Sequence, residues 1–447
     1  MRTQDADTLV VGAGAAGLAA AHELRARGRE VLVLDAGDRP GGVMRSEIRG
    51  GFLFECGPNT FQLKAPALRL LRRAGLEAAL VKASPASRKR FLLRGDRLVP
   101  VPLGPGALLG TSLLSGRAKL RLLAEPFIRR GDAREESVAD FVARRLGPEV
   151  VDALVGPFLT GVYAGDERVL GAEAVFPALV AWERESGSLA GGALREMLRR
   201  GERGAPGSWS AAKGLGPLAR LLADGLGEAV CLGTRVRAVA REAWGWTVSL
   251  DGSELRARSL LIAADAAGAA ELLASLDAES AAFLRAVDYA PIASVALPVD
   301  PTRASRPVDG FGFLVPRDSG LDLLGALFMS RLFARRAPID RVLVTAMIGG
   351  ARWRGIVDAA DDEILARVAQ GLERGLGLRE LPDPLAITRW ARAVAQPGPD
   401  HLPRVRALRA RLEAPGQLAL AGSYLDGVGL ADSFASGMAA AARLCAG

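Results

Sequence analysis

Histidine, cysteine, tyrosine and lysine are all scarce in this chain. His22 and His401 are the only histidines among 447 residues. Two imidazoles give no basis for a histidine-built metal centre or a Ser-His-Asp triad, so no metal is expected. Cys56, Cys231 and Cys445 are odd in number and far apart. They form no disulfide framework and imply a reducing compartment. Aromatic residues make up 5% of the chain, and no basic stretch is interleaved with them, which argues against nucleic acid as a partner. No run of 18 apolar residues has helical character, so nothing should span a bilayer. A strand begins by Thr8, leaving no room for a signal peptide, and a cytoplasmic location is expected.

What is present is apolar and arginine-rich. Apolar residues are 49% of the chain, enough for two or three cores at this length. The net charge is +8, and of the 58 basic residues only Lys64, Lys82, Lys89, Lys119 and Lys213 are lysine. That balance suits an anionic substrate or an anionic membrane surface.

The first forty-five residues carry the clearest pattern. Asp7-Thr8-Leu9-Val10-Val11 reads as a strand. Gly12-Ala13-Gly14-Ala15-Ala16-Gly17 opens a helix that runs to Gly28, and Glu30 to Leu34 reads as a second strand ending at Asp35 and Ala36. Gly12 permits the tight turn, Gly14 lets a pyrophosphate approach the backbone, and Gly17 lets the helix pack on the strand. Amides at the helix start face the phosphates, and Asp35 can accept both ribose hydroxyls. Arg39-Pro40-Gly41-Gly42-Val43-Met44-Arg45-Ser46 follows directly, where a nicotinamide domain would run into another helix. This stretch resembles the FAD-binding signature of amine oxidase-like flavoproteins, in which Glu is usual where Asp35 stands. Phe54-Glu55-Cys56-Gly57-Pro58-Asn59-Thr60 again suits close backbone approach to a ligand.

Further on, residues 64 to 82 read as a helix. Residues 98 to 116 carry no charge, with Arg88, Lys89, Arg90, Arg94 and Arg97 before them and Arg117, Lys119 and Arg121 after. Three prolines and four glycines forbid a continuous helix there. The stretch is either an apolar loop dipping into a membrane interface or walling a pocket, or an ordinary buried loop. From 134 to 200 the periodicity is helical, with Ser137 as N-cap of Val138–Leu146, Pro148 opening the next helix, and breaks at Gly187 and Gly191-Gly192. Residues 201 to 213 read as a linker. Strands return from Val230 and again over 289 to 349. Asp361 to Leu376 reads as an amphipathic helix. A second strand-turn-helix follows from Gln417, whose turn Val428-Gly429-Leu430 can aim amides at a flavin pyrimidine.

Taken together, the fingerprint, FECGPNTF, RFLLRGDRLVPVP, SVADFVARRLGPEV, GVYAGD, GFGFLVP, VTAMIGG and GSYLDGVGLADSFASG resemble the protoporphyrinogen oxidases, FAD enzymes near the end of haem synthesis. The resemblance implies an α/β (α+β) fold of three parts. A Rossmann-like FAD domain would comprise 1–63, 208–270 and 396–447. A β-sheet substrate domain would comprise 64–84 and 271–395, and an inserted helical membrane-facing domain 85–207. Implied FAD contacts are Gly12, Ala13, Gly14, Ala15, Ala16, Gly17, Asp35, Ala36, Gly42, Gly57, Pro58, Asn59, Thr60, Val236, Trp390, Val428, Gly429 and Leu430. Implied substrate contacts are Arg90, which would hold a propionate, with Gly161, Phe311, Leu314, Leu327 and Met347. No general base is identified; the flavin carries the chemistry and Asn59 can orient it. The segment Ala395 to His401 departs from a Pro-Gln-Tyr-containing stretch of many relatives, so no flavin-adjacent role is given to it.

The implied reaction is the six-electron oxidation of protoporphyrinogen IX, with non-covalent FAD, dioxygen as acceptor and hydrogen peroxide as by-product. The implied partners are the tetrapyrrole, dioxygen, a membrane surface met peripherally from the cytoplasm, and a second copy in a homodimer. Three alternatives stay open. Coproporphyrinogen III oxidation would favour a more basic pocket. An amine oxidase or carotenoid desaturase shares the fold, although a caged amine site would need more than Tyr163, Tyr289 and Tyr424. A flavin-binding module without activity is the third.

Overall fold

The structure is a computed structural model that describes residues 6–131, 135–198, 204–413 and 417–446. Strand β1 (Ala6–Val11) is buried almost throughout, as a parallel strand covered on both faces must be. Helix α1 (Ala15–Ala26) follows, and β2 (Val31–Leu34) returns parallel to β1 with Thr8 opposite Val31. Val230–Cys231 pairs beside β2, Glu254–Ile262 beside β1, and Leu418–Leu420 beside that strand. Three distant stretches of chain therefore build one sheet. The final helix, Leu430–Ala446, lies along α1 because Gly437 has no side chain; a Cβ there would collide with the Ala16 carbonyl.

A second seven-stranded sheet runs in the order 386–395, 289–299, 342–349, 323–328, 312–314, 90–94, 97–100. One face carries Val295, Phe313, Ala326 and Val344 and packs on helix Asp361–Leu376 through Ile364, Val368 and Leu372. That helix begins with three carboxylates in its first turn and ends at Gly377, whose φ is +67°. The opposite face meets the hairpin Ser46–Arg49/Phe52–Glu55: Phe52, Phe54 and Cys56 pack against Ala296 and Leu343.

The third part is helical, with a core of Val138, Phe141, Leu159, Tyr163 and Leu170. Ser137 Oγ accepts the Asp140 amide at 3.1 Å, and Pro148 stands at the start of the next helix.

Four expectations need correction. Arg90–Arg94 and Arg97–Pro100 form a hairpin of the second sheet, with Gly312 opposite Arg90, so the helical part begins only at Pro105. The alternation of Phe91 and Leu93 with Arg90 and Leu92 seats two apolar side chains on the helix-covered face. The supposed linker is a strand, Ala205–Ala211, paired to Phe61–Leu63 and Leu80–Lys82; residues 201–203 lie outside the described residues. Small-residue composition suggested flexibility, but pairing on both edges outweighs it. The helix from Ala65 stops at Arg73, before Gly75 at φ +72°, and Leu80–Lys82 is strand. Finally, Gly187 does end a helix at φ +76°, whereas Gly191 and Gly192 lie inside the next one, Leu189–Leu198. Gly192 is there because the Trp182 side chain occupies the space of a Cβ. Residues 134, 199 and 200 of that expected helical stretch lie outside the described residues.

Candidate active site

The glycine turn is built for two different demands. Gly12 has φ +107°, and a Cβ there would meet the Ala263 carbonyl oxygen at 2.8 Å. Gly17 sits over the Gly12 carbonyl, which any Cβ would strike. These two are required by the fold. Gly14 is not: its φ is −71°, and a Cβ on it would meet nothing within 4 Å. The open space lies at the start of α1, where the free amides of Ala15 and Ala16 and the helix dipole attract an anion. The Ala13 carbonyl accepts the Gly41 amide at 2.8 Å, and Gly14 bridges to Gly41, so the second glycine pair closes over the first. Gly42 has φ +57°, and a Cβ on it would lie 3.5 Å from the Gly14 Cα. Asp35 Oδ2 accepts the Ala13 amide at 2.6 Å and Oδ1 accepts the Gly37 amide at 2.7 Å. A carboxylate offers about four lone pairs, so two remain for ribose hydroxyls. Ala36 is exposed beside it, and Val236 packs against the same core as β1.

The wall continues through Cys56 to Thr60. Gly57 lies against the Val43 carbonyl with no room for a Cβ. Trp390 Nε1 donates to the Cys56 carbonyl at 2.7 Å, tying this loop to the edge strand of the second sheet. Pro58 and Thr60 are half-buried. Asn59 is buried, and its Oδ1 has no hydrogen-bond partner among the described residues. A buried acceptor of this kind can take a donor from a ligand or from water. Burial pushes the Cys56 thiol up, and the Glu47 charge adds to the effect, so Cys56 is no thiolate nucleophile.

The expected substrate contacts fall on two adjacent rungs of the second sheet. Arg90, Gly312, Leu327 and Thr345 form one rung; Leu92, Leu314, Gly325 and Met347 form the next. Residues two apart along a strand share a face, and this face is the one turned from helix Asp361–Leu376. Gly312 and Gly325 supply no side chains to this face; a Cβ on Gly325 would meet the Phe313 carbonyl oxygen at 2.6 Å and the Leu314 side chain. Phe311 precedes the rung, and its ring lies under the Arg90 guanidinium, 4.4 Å from ring centre to Cζ. Gly161 abuts Leu314, whose methyl groups fill the space of a Cβ, so helix Gly156–Tyr163 of the third part packs directly on this face. Arg90 is largely buried and has no carboxylate partner among the described residues; burial alone pulls its pKa below the ordinary guanidinium value.

Val428 and Gly429 precede the final helix, and Leu430 is its first residue. The Gly429 amide donates to Asp432 Oδ2 at 3.2 Å, and Asp432 Oδ1 pairs with Lys64 at 2.5 Å. The sequence reading did not single out this pair, nor Arg352. Arg352 donates to the Val315 carbonyl at 2.7 Å and to Thr160 Oγ1 at 3.2 Å, joining the sheet to the helical part. Burial, with Arg317 nearby, lowers its pKa to about 10. Thr345 Oγ1 is fully buried without a partner among the described residues. The register of the sheet reveals Thr345, and contacts between distant segments reveal Lys64, Asp432 and Arg352; spacing along the chain holds no signal for them. No cluster of metal-ligating side chains occurs among the described residues.

The residues present fit FAD: an open anion cradle at Gly14, the Asp35 carboxylate with lone pairs to spare, and the loop bearing the unpartnered Asn59 acceptor. The flavin-containing amine oxidoreductase family model matches residues 15–445. A chloroplastic protoporphyrinogen oxidase of rice (Oryza sativa subsp. japonica) is 34% identical over 95% of this chain and 85% of its own length. The human protoporphyrinogen oxidase is 31% identical over 97% of each chain. The coproporphyrinogen III oxidase of Bacillus subtilis is 28% identical over 97% of this chain and 96% of its own. Among solved structures, a protoporphyrinogen oxidase candidate from Exiguobacterium sp. 255-15 superposes with a TM-score of 0.81 at 26% identity over 97% of each chain.

Proposed function

The chain belongs to the flavin-containing amine oxidoreductases, in the branch of the protoporphyrinogen oxidases, and from that premise we propose that it converts protoporphyrinogen IX to protoporphyrin IX in three two-electron steps. It is an FAD-dependent oxidoreductase. FAD, held by the cradle at Gly14, by Asp35 and by the Gly57–Thr60 loop, would supply the two-electron acceptor chemistry. The chain positions the macrocycle, keeps water out and anchors its carboxylates.

Arg90 carries this reading. A guanidinium set into an apolar wall and unmatched by any carboxylate among the described residues is suited to a carboxylate on the ligand. The apolar face formed by Leu314, Leu327 and Met347, interrupted only by Gly312 and Gly325, suits a broad apolar ring. In that orientation the remaining edge of the macrocycle faces Leu314 and Gly161, which disfavours further propionates there. Steady-state rates of porphyrin fluorescence gain on protoporphyrinogen IX and coproporphyrinogen III test the proposal. A higher kcat/KM on the four-propionate substrate would overturn it in favour of the coproporphyrinogen reaction.

The helical part is the proposed membrane-facing surface. Leu120, Leu123 and Phe127 are exposed, Phe127 at 88%, and helix Leu189–Leu198, which packs on the turn Glu125–Phe127, adds exposed Leu194, Met197 and Leu198. Within the uncharged stretch Leu113 and Leu114 are buried, so it contributes Leu103 and Leu109 alone to that surface. No helix among the described residues is long and apolar enough to cross a membrane. Peripheral docking from the cytoplasm, with Arg117 and Lys119 at the lipid headgroups and Arg121 held by the Arg144 and Arg145 carbonyls, is the proposed arrangement.

A further inference from the structure

The turn Gly350-Ala351-Arg352 follows strand Val342–Gly349 of the second sheet and holds the end of helix Gly156–Tyr163 at two points. The Ala351 amide donates to the Ala164 carbonyl at 2.7 Å, and Arg352 Nη2 donates to Thr160 Oγ1 at 3.2 Å. Thr160 and Ala164 are four residues apart, so both bonds fall on one side of the helix end. Ala164 has φ +48°, a left-handed conformation uncommon outside glycine. Gly350 has φ +68°, and a Cβ on it would collide with the Ala164 carbonyl, so the two backbones could not approach this closely with any other residue there.

Arg352 Nη2 also donates to the Val315 carbonyl at 2.7 Å. Thr160 and Val315 are the chain neighbours of Gly161 and Leu314, the two residues that touch where the helical part meets the substrate face. One guanidinium nitrogen therefore bridges the residues beside each member of that contact. Nη1 reaches the Leu321 and Leu323 carbonyls at 3.4 and 3.3 Å, which fixes the group to the sheet. Buried charges are ordinarily paired, yet Arg352 forms no ion pair among the described residues. The nearby carboxylates are taken: Asp322 pairs with Arg367, and Asp166 and Glu167 with Arg317. The charge of Arg352 goes instead to three carbonyls and a hydroxyl. Bonds from a charged donor are stronger than neutral ones, and the planar fork fixes their directions. Such a group sets the spacing of the segments that it joins.

We propose that Arg352 is a positioning residue: it fixes the contact between Gly161 and Leu314, and through that contact it selects which tetrapyrrole edge fits. The proposal rests on the reading above that this face receives the tetrapyrrole. Gly161 carries no side chain, so an outward movement of the helix opens room at Leu314. Held in place, the helix keeps the bulk and charge of additional propionates from that edge. Arg352 touches no reacting atom and acts through Thr160 and Val315.

The test compares wild-type holoenzyme with Arg352→Met, Arg352→Lys and Thr160→Val, each checked for flavin content and thermal melting. The first readout is the ratio of kcat/KM on protoporphyrinogen IX to kcat/KM on coproporphyrinogen III. That ratio does not depend on the active fraction of a preparation, so a loss of stability alone leaves it unmoved. It should fall about threefold or more in Arg352→Met. Arg352→Lys should recover part of the loss, because the charge returns without the fork. Thr160→Val removes one acceptor at nearly constant volume, should lower the ratio by less, and decides the matter if Arg352→Met does not fold. The second readout needs no substrate: amide hydrogen exchange over residues 156–164 should quicken in Arg352→Met and Thr160→Val. Arg354→Ala, at an exposed ion pair with Asp288, should change neither readout. Unchanged exchange overturns the clamp, and faster exchange with an unchanged ratio overturns the positioning role. A wild type that prefers coproporphyrinogen III counts against the proposed reaction instead; the shift of the ratio in the variants then still decides the role of Arg352.

Discussion

Arg90 and Phe311 form a stacked pair, guanidinium over ring at 4.4 Å, beside the rung that carries Gly312 and Leu327. Stacking holds the fork of donors flat; among the described residues only Nε is engaged, donating to the Ser87 carbonyl at 3.3 Å. Neighbouring Lys89 is already matched by Asp309 at 2.5 Å. Charge for an incoming carboxylate therefore comes from Arg90.

Arg90→Ala is expected to raise KM for the tetrapyrrole about ten- to a hundredfold, from the roughly 1.5–3 kcal/mol of a charge-assisted hydrogen bond. FAD content should not change. Arg90→Lys should recover part of the loss, since the charge returns without the bidentate fork. An alanine variant with wild-type KM removes Arg90 from the site.

Gly14 and Gly17 are expected to behave oppositely. Gly14→Val has room to fold, because nothing packs against that position. It should give folded, colourless protein, as the new side chain enters the pyrophosphate cradle. Gly17→Ala collides with the Gly12 carbonyl and should lose the fold along with the flavin. Absorbance at the flavin bands and thermal melting separate the two. A Gly14→Val protein with full flavin refutes the cradle.

The sequence made the first sheet's start and its glycine turn readable because one local pattern, strand, turn and helix within thirty residues, contains all the physics. The helix Asp361–Leu376 was readable to its ends for the same reason: apolar period, acidic first turn, glycine stop. The hairpin Arg90–Pro100 was not, because its place depends on Gly312, more than two hundred residues away. Ala205–Ala211 failed similarly, since two partner strands decide its state and its own composition favours a loop. In the site, the resemblance to relatives supplied Arg90, Leu327 and Met347. The sheet register supplied their arrangement into two rungs, together with Thr345.

The chain's two histidines are both placed to destabilise it in acid. His22 Nε2 bonds the Leu222 carbonyl at 2.8 Å and His401 Nε2 bonds Tyr424 at 2.7 Å, and burial lowers both pKa values from 6.5. Below pH 6.5 the unfolded chain binds protons that the folded chain refuses, so stability falls as pH drops from there toward the depressed folded values. Melting temperature should decline over that window, and a His22→Gln/His401→Gln variant should flatten the decline. An identical slope in wild type and variant assigns the effect to carboxylates.

Membrane docking should depend on apolar burial more than on charge. With wild-type protein on vesicles of anionic phospholipid, high salt should release little and detergent most, because apolar contact is not screened. Leu123→Asp/Phe127→Asp, at two exposed positions, should shift most of the protein to the supernatant with its flavin retained. Wild-type protein that fails to sediment with vesicles rules the surface out.

Glu55 and Arg336 form an ion pair at 2.8 Å with both side chains buried. Glu55 also accepts from Ser46 Oγ and from the Leu215 amide, and Arg336 also holds Ser210 and Ala211. The pair thus binds the hairpin before Gly57 to the strand Ala205–Ala211 and to the second sheet's loop. Removing one member of such a pair costs about 3–5 kcal/mol, because a charge is left buried alone. Burial already pushes the Glu55 carboxyl above its usual 4.5, with Arg336 opposing that rise. Arg336→Met removes the opposition, so the folded-state pKa climbs further above the unfolded value. A raised carboxyl favours folding below the unfolded pKa and loses that advantage as pH rises through the folded one. The deficit of Arg336→Met against wild type should therefore be largest near neutral pH and shrink as pH falls toward 5. Glu55→Gln/Arg336→Met should melt closer to wild type at pH 7 than Arg336→Met alone. Equal losses for the single and double variants would show that packing, and no stranded carboxylate, sets the cost.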